Sequence, residues 1–132
     1  MSSIIEVVAL ALQRTSDSRF MLARRGPNES GAGYWEFPGG KVERGETQRQ
    51  ALVREIGEEL SLKIKPELLV LVAQNDHQYG AKVFRIFLWK CVINADPLVS
   101  LIDHDQIMWC DSFEMRALKV SAGDVTFIEK LL

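Results

Sequence analysis

Apolar residues occur along this chain in short runs that predict β-strands. Residues 4–12 are rich in β-branched side chains, and turn residues separate them from a second apolar run at 20–23, which is typical of a β-hairpin. An aromatic run at 34–37 followed by Pro38-Gly39-Gly40 predicts a short strand and a tight turn. The remaining predicted strands are 68–73, 83–93 and 107–110, with a connection at 77–80 and a polar loop at 103–106.

One segment has the period of a helix. Between residues 47 and 60, Leu52, Ile56 and Leu60 recur every four residues and form one apolar face, and Pro66 bounds the helix on its far side. A second helix is expected at the end of the chain, through residues 127–132. Because the elements lack a regular βαβ alternation, we expect an α+β fold.

Composition narrows the class of protein. The chain has 132 residues, 47% of them hydrophobic and 26% charged, as expected for one globular domain over residues 1–132. The net charge of −2 gives no basic surface for a nucleic-acid polymer or a membrane. No basic leader or spanning apolar run is present, and Cys91 and Cys110 lie in apolar runs, so we expect a cytoplasmic protein with reduced, buried thiols.

Three glutamates of the predicted helix are candidate metal ligands. Glu55, Glu58 and Glu59 stand at positions i, i+3 and i+4, which places all three carboxylates on one helix face. Their mutual repulsion is relieved by a hard divalent cation, Mg²⁺ or Mn²⁺, for which carboxylate oxygens are suitable ligands. The alternative is a solvated acidic face paired with Arg54 and Lys63.

The spacing of Gly40, Glu46 and the run Arg54-Glu55-Ile56-Gly57-Glu58-Glu59-Leu60 resembles the Nudix box, with eight of nine specified positions matching. Ser61 stands where the family has glycine, and we expect a local adjustment of the backbone there. The segment WEFPGGKVE at 35–43 is similar to the MutT branch of the family, and within it to bacterial CTP pyrophosphohydrolases. The resemblance implies an α/β/α sandwich with a mixed central sheet and a loop-helix-loop signature.

The same resemblance implies a catalytic set. Glu55, Glu58 and Glu59 would hold Mg²⁺, which Mn²⁺ can replace, with the carbonyl of Gly39 or Gly40 as a further ligand. The resemblance also implies supporting residues: Arg54 would orient the carboxylates and Glu46 would tie the loop to the helix. Gln106 occupies the position of the general base of many relatives, and an amide accepts no proton at neutral pH. A glutamate of the box or Asp105 is therefore the candidate base.

Four further residues are candidates for substrate binding. The resemblance implies that Arg25 and Lys82 contact phosphate, with exposed strand-end residues as the alternative. The resemblance also implies that Asp124 recognises the base, with a helix N-cap as the alternative interpretation of this residue. Phe37 is a candidate for stacking on the base, although an aromatic residue in a short strand is more often part of the core.

The activity implied by the resemblance is Mg²⁺-dependent hydrolysis of a modified or surplus nucleoside triphosphate to a monophosphate and pyrophosphate, with a pyrimidine preferred. The partner is thus a small nucleotide. One alternative keeps the chemistry on another substrate, such as ADP-ribose or a dinucleoside polyphosphate. The other is a non-catalytic module that senses nucleotides. The oligomeric state is left open.

Overall fold

The computed structural model describes residues 3–131, in which seven strands form one mixed sheet with helices on both faces. The strands are β1 Ser3–Arg14, β2 Phe20–Arg25, β3 Trp35–Glu36, β4 Gly39–Lys41, β5 Val70–Tyr79, β6 Lys82–Ile93 and β7 His104–Cys110. The α-helices are α1 Gln48–Leu60 and α2 Ser112–Arg116, and 3₁₀ segments span Pro66–Leu68 and Val125–Leu131. This arrangement confirms the expected α+β class and sandwich.

The central strand β1 organises the sheet. It runs parallel to β6 over twelve residue pairs, and β5 adds to the outer side of β6 in the antiparallel sense. On its other side β1 pairs with β2 only at Gln13 and Phe20, whereas Val7 to Ala9 pair with β4. Strand β2 continues away from β1 and pairs with β3 and β7. The predicted hairpin is therefore present but diverges, and an opening remains beside the middle of β1.

Alternating side chains of β1 enter two separate cores. Val8, Leu10 and Leu12 pack with the apolar face of α1, which includes Leu52 and Ile56. Ala9 and Ala11 point to the opposite face, toward a cluster that includes Phe37, Met115, Phe127 and Ile128. Because successive residues of a strand face opposite sides, a strand buried on both faces is apolar at every position. This requirement accounts for the continuous apolar run at 7–12.

Helix α1 is fixed at its first turn. Thr47 is the N-cap: its side chain accepts a hydrogen bond from the Gln50 backbone N–H, and the Gln50 side chain accepts one from the Thr47 N–H. Leu52, Ile56 and Leu60 are fully buried, as the periodicity predicted. Burial of three such side chains contributes about 1.5 to 3 kcal/mol each. The helix is thus a firm support for the glutamates that it carries.

The C-cap of α1 corrects one expectation. Ser61 has φ 53° and ψ 32°, the left-handed conformation that glycine would adopt at this position. The backbone has therefore not adjusted to the missing glycine, and the serine takes the strained conformation itself. The Ser61 N–H donates to the Gly57 carbonyl and closes the last turn.

Several predicted boundaries were wrong. Residues 77–79 belong to β5, and the turn is confined to Gly80, with φ 62°, and Ala81. Strand β7 begins at His104, within the expected polar loop. The final helical segment is a 3₁₀ helix, Val125–Leu131, and Leu132 lies outside the described residues. Helix α2 was missed, although its capping box of Asp111 and Glu114 is visible in the sequence.

Two further expectations concern the state of the cysteines and the presence of a membrane-spanning helix. Cys91 and Cys110 are both free and buried, as predicted. Within residues 3–131 no helix is both long and apolar enough to cross a membrane.

Candidate active site

A cavity of about 490 Å³ lies beside the middle of β1. Its floor is formed by Val7, Val8 and Ala9, and its walls come from several other elements. The polar or glycine residues that line it include Arg25, Glu36, Gly39, Gly40, Glu55, Glu59, His77, Gly123 and Asp124. Residues far apart in sequence thus meet in one concave site, the usual setting of a small-molecule site.

Strand β4 lies so close to β1 and α1 that a side chain at Gly39 or Gly40 would overlap its neighbours. A Cβ on Gly39 would overlap the Val8 carbonyl, and a Cβ on Gly40 would overlap the Glu55 carboxylate. The Gly39-Gly40 backbone therefore lies directly against the first of the three glutamates. Both glycines line the cavity together with Glu55 and Glu59, two of the predicted metal ligands.

Arg54 joins the loop before α1 to the glutamates on it. Its Nε and Nη2 donate to the two carboxylate oxygens of Glu46 at 2.8 and 2.9 Å. Its Nη1 donates to Glu55 at 2.8 Å, and Nη2 also donates to the Lys41 carbonyl at 3.1 Å. The hydrogen bonds from Arg54 lower the pKa of Glu46 to about 2. Arg54 and Glu46 therefore stay charged and connect the loop, β4 and α1.

Glu59 is a half-buried carboxyl group that lines the cavity close to other acidic side chains. Its Oε2 is buried and has no hydrogen-bond partner within residues 3–131. Burial, together with the charges of Glu36, Glu55 and Asp103, raises the pKa of Glu59 to about 8. Such an arrangement of carboxylates is unfavourable without a cation, and hard oxygen donors suit Mg²⁺. The residues present therefore fit a divalent cation.

Glu58 differs from its two neighbours on α1. Its side chain is 62% exposed and lies 3.4 Å from Arg54, whereas Glu55 and Glu59 line the cavity. Within the described part of the chain, no three acidic, histidine or cysteine side chains already stand as a complete ligand set. Two of the predicted ligands thus line the cavity, and the third is not among its lining residues.

Glu36 connects Arg25 to a buried histidine, which sequence reasoning missed. Arg25 Nε donates to one carboxylate oxygen of Glu36 at 2.9 Å, and His104 Nε2 lies 2.8 Å from the other. Arg25 also donates to the Ser30 carbonyl at 2.8 Å. His104 is buried in β7 instead of lying in a loop as expected. The available signal was Glu36 itself, a carboxylate between two core aromatic residues.

Asp124 lies at the opposite wall of the cavity, where its Oδ2 accepts a hydrogen bond from the Phe37 backbone N–H at 3.2 Å. Burial and the charge of Glu36 raise the pKa of Asp124 to about 7. The hydrogen bond goes to β3–β4 rather than to the following helical turn, so the side chain is not used as the predicted N-cap. Phe37 is only 2% exposed and packs edge-on against Phe127 at 6.5 Å, in agreement with the core interpretation.

Lys82 and Asp105 are not brought into the cavity. Lys82 begins β6 opposite Ser3, away from the lining residues. Asp105 accepts a hydrogen bond from Arg24 Nε at 2.7 Å, and this contact keeps the pKa of Asp105 below its usual value. The neighbouring Asp103 is the acidic residue of this segment whose charge reaches Glu59.

Comparison with known proteins identifies the family. A model of the NUDIX domain matches residues 5–131, and the chain therefore belongs to the NUDIX family. The CTP pyrophosphohydrolase of Escherichia coli (strain K12) is 33% identical over 129 residues, which cover 98% of this chain and 92% of that protein. The 8-oxo-dGTP diphosphatase of the same organism is 32% identical over 82 residues, 62% of each protein.

The fold agrees with the same assignment. The solution structure of the Escherichia coli ORF135 protein matches this one with a TM-score of 0.82 and 31% identity, covering 98% of this chain and 89% of that chain. The resemblance inferred from the Nudix box and the segment at 35–43 is thus confirmed.

Proposed function

We propose that this protein is a Mg²⁺-dependent pyrophosphohydrolase that cleaves a modified or surplus nucleoside triphosphate to the monophosphate and pyrophosphate. The observation that carries the proposal is the cavity in which the unpaired Glu59 carboxylate and Glu55 face Arg25 and Asp124. The full-length similarity to a CTP pyrophosphohydrolase supports a pyrimidine as the preferred base. The partial similarity to an 8-oxo-dGTP diphosphatase supports an oxidised purine as the competing choice.

The residues of the cavity divide the work of binding. Glu55, Glu59 and Glu58, with a carbonyl of Gly39 or Gly40, would hold the cation. When bound, Mg²⁺ neutralises charge on the phosphate oxygens and so lowers the barrier to attack by water. Arg25, held by Glu36, binds phosphate, and Asp124 contacts the base. Lys82 lies too far along β6 to line the cavity, so its assignment to phosphate depends on a movement of substrate or loop toward it.

The reaction exchanges one P–O bond for another. Water attacks the β-phosphorus, and the bridging oxygen leaves with the α-phosphate as the nucleoside monophosphate. The β- and γ-phosphates, with the oxygen of water on the β-phosphorus, form pyrophosphate. The proton of the attacking water passes to a carboxylate. A glutamate of the box or Asp103 is better placed for this role than Asp105, which Arg24 holds outside the cavity lining.

Arg54 and Glu46 support the catalytic carboxylates without reacting. The Arg54 guanidinium fixes the Glu55 carboxylate from one side, and the Gly40 backbone confines it from the other. A fixed carboxylate needs little reorganisation when charge develops on the phosphate, which is the main source of catalysis in phosphoryl transfer.

Product analysis tests this function. Wild-type protein, Glu59→Gln and the exposed control Glu67→Gln are incubated with Mg²⁺ and a panel of canonical nucleoside triphosphates, 5-methyl-dCTP, 8-oxo-dGTP, ADP-ribose and diadenosine polyphosphates. We expect monophosphate and pyrophosphate from at least one triphosphate, lost in Glu59→Gln and kept in Glu67→Gln. Turnover of only ADP-ribose or the dinucleotides would replace the proposed substrate class. Nucleotide binding without turnover would leave the sensor as the function.

The setting of the reaction is part of the proposal. The match to the family over residues 5–131 supports one catalytic domain that acts on a small nucleotide. Two free, buried cysteines agree with a reducing compartment, and we place the protein in the cytoplasm.

A further inference from the structure

Strand β5 presents two polar side chains, Asn75 and His77, toward the cavity side of the sheet, and no step above uses either of them. Ala73, Asn75 and His77 are half-buried, and the alternating residues Gln74 and Asp76 are exposed. Asn75 therefore lies on the face that packs on the C-terminal segment of the chain, opposite Ile86 of β6. A half-buried amide on a face that packs against other residues requires a hydrogen-bond partner.

That partner is the Gly123 backbone. Asn75 Nδ2 donates to the Gly123 carbonyl oxygen at 3.1 Å. A Cβ on Gly123 would lie 2.7 Å from Ile86 Cδ1 and 3.5 Å from His77 Cβ, so the absence of a side chain allows this close approach. The contact joins β5 to the residue that precedes Asp124.

The peptide group between Gly123 and Asp124 is held at both ends. Its oxygen accepts from Asn75, and its N–H, that of Asp124, donates to the Ser121 carbonyl at 2.9 Å. Ser121 in turn donates to the Trp35 carbonyl at 2.8 Å. Because a peptide group is planar and rigid, two opposed hydrogen bonds fix its orientation and with it the direction of the Asp124 side chain.

We propose that Asn75 is a positioning residue for specificity, which sets the place of the Asp124 carboxyl at the cavity and thereby the discrimination between nucleobases. This inference rests on the proposed function, in which Asp124 contacts the base. Asn75 touches neither the carboxylates of α1 nor Arg25 in the contacts described above. Its loss therefore affects recognition of the base and leaves the cleavage of the phosphoanhydride intact.

The test compares Asn75→Asp with Gln74→Glu. The first change has almost the same shape and removes the N–H donor, and the second adds the same charge on the exposed face of the same strand. The values of kcat and KM are measured with Mg²⁺ for CTP, UTP, ATP, GTP and 8-oxo-dGTP. The readout is the ratio of kcat/KM between the best and the poorest base, in which a general repulsion of anionic substrates cancels.

We expect Asn75→Asp to lower this ratio about fivefold to tenfold, because one hydrogen bond is lost and the new carboxylate repels the Gly123 carbonyl oxygen. The change is expected as a higher KM for the best base at nearly unchanged kcat. Asn75→Ala is expected to act in the same direction, whereas Gln74→Glu keeps the ratio. Thermal melting of each variant identifies loss of folding. A drop in kcat for all bases alike, or an unchanged ratio in both folded Asn75 variants, would overturn the inference.

Asp124→Ala separates this inference from the function on which it rests. If Asp124→Ala abolishes discrimination and the Asn75 variants keep it, Asn75 is not a positioning residue although Asp124 contacts the base. If Asp124→Ala itself retains discrimination, the assumed base contact is wrong. If Asp124 contacts the base and Asn75 positions it, the double variant Asn75→Ala/Asp124→Ala loses no more discrimination than Asp124→Ala alone.

Discussion

Ser61 at the end of α1 gives a quantitative test of the backbone strain beside the catalytic helix. Its φ of 53° lies in the left-handed region, which costs an L-residue with a side chain about 1 to 2 kcal/mol. Ser61→Gly removes this strain, since glycine adopts the conformation freely. The added freedom of glycine in the unfolded chain offsets about 0.5 to 1 kcal/mol of the gain.

The net expectation is a stabilisation of about 0.5 to 1 kcal/mol, which raises Tm by about 2 to 4 °C in a chain of this size. Differential scanning calorimetry and urea unfolding measure it, with Ser100→Gly as the control. Ser100 is exposed, and it is absent from the non-glycine residues with positive φ in the described part of the chain. The control therefore loses stability, because only the unfolded-state effect of glycine acts there.

An equal loss of stability in Ser61→Gly and Ser100→Gly would mean that glycine relieves no backbone strain at the end of α1, contrary to this prediction. We expect kcat to stay unchanged in Ser61→Gly, because Ser61 follows the glutamates and supplies no carboxylate.

Three further predictions concern the cavity. Gly40→Ala forces a Cβ into the Glu55 carboxylate, so kcat falls by at least about a hundredfold while circular dichroism stays native; near-normal kcat would show that Glu55 can move without loss. His104→Ala frees one oxygen of Glu36 and loosens Arg25, so KM rises about tenfold with less effect on kcat, and an unchanged KM would contradict this coupling. The pKa of Asp124 is raised to about 7 in the fold, so the folded state holds its proton more tightly than the unfolded chain, and stability falls as the pH rises toward 7. Asp124→Asn removes this contribution, and its Tm is therefore expected to fall less than that of the wild type between about pH 5 and pH 8; parallel Tm curves would show that Asp124 is ionised throughout.

The local part of the site was predictable because its signals are close in sequence. The period of Leu52, Ile56 and Leu60 located α1, and the resemblance to the Nudix box indicated that Glu46 and Arg54 would meet beside the glutamates. A loop and the helix that follows it need only their own spacing to bring such residues together.

The far wall of the cavity was not predictable in the same way. The hydrogen bond of Asn75 joins residues that are 48 apart in sequence, and the contact between His104 and Glu36 joins residues that are 68 apart. No local sequence pattern encodes contacts over such separations. The end of β5 was missed because an edge strand with polar residues on its exposed face has the composition of a loop. Residues 74–78 are all polar, so no alternation of polar and apolar residues marks this end of the strand.

The most direct measurement is hydrolysis of CTP in water enriched in ¹⁸O, with mass analysis of both products. We expect one monophosphate for each pyrophosphate, the label in pyrophosphate, and no turnover in Glu59→Gln. Release of orthophosphate, or the same turnover in Glu59→Gln as in the wild type, would contradict the claim that the carboxylates of this cavity direct water to the bond between the α- and β-phosphates.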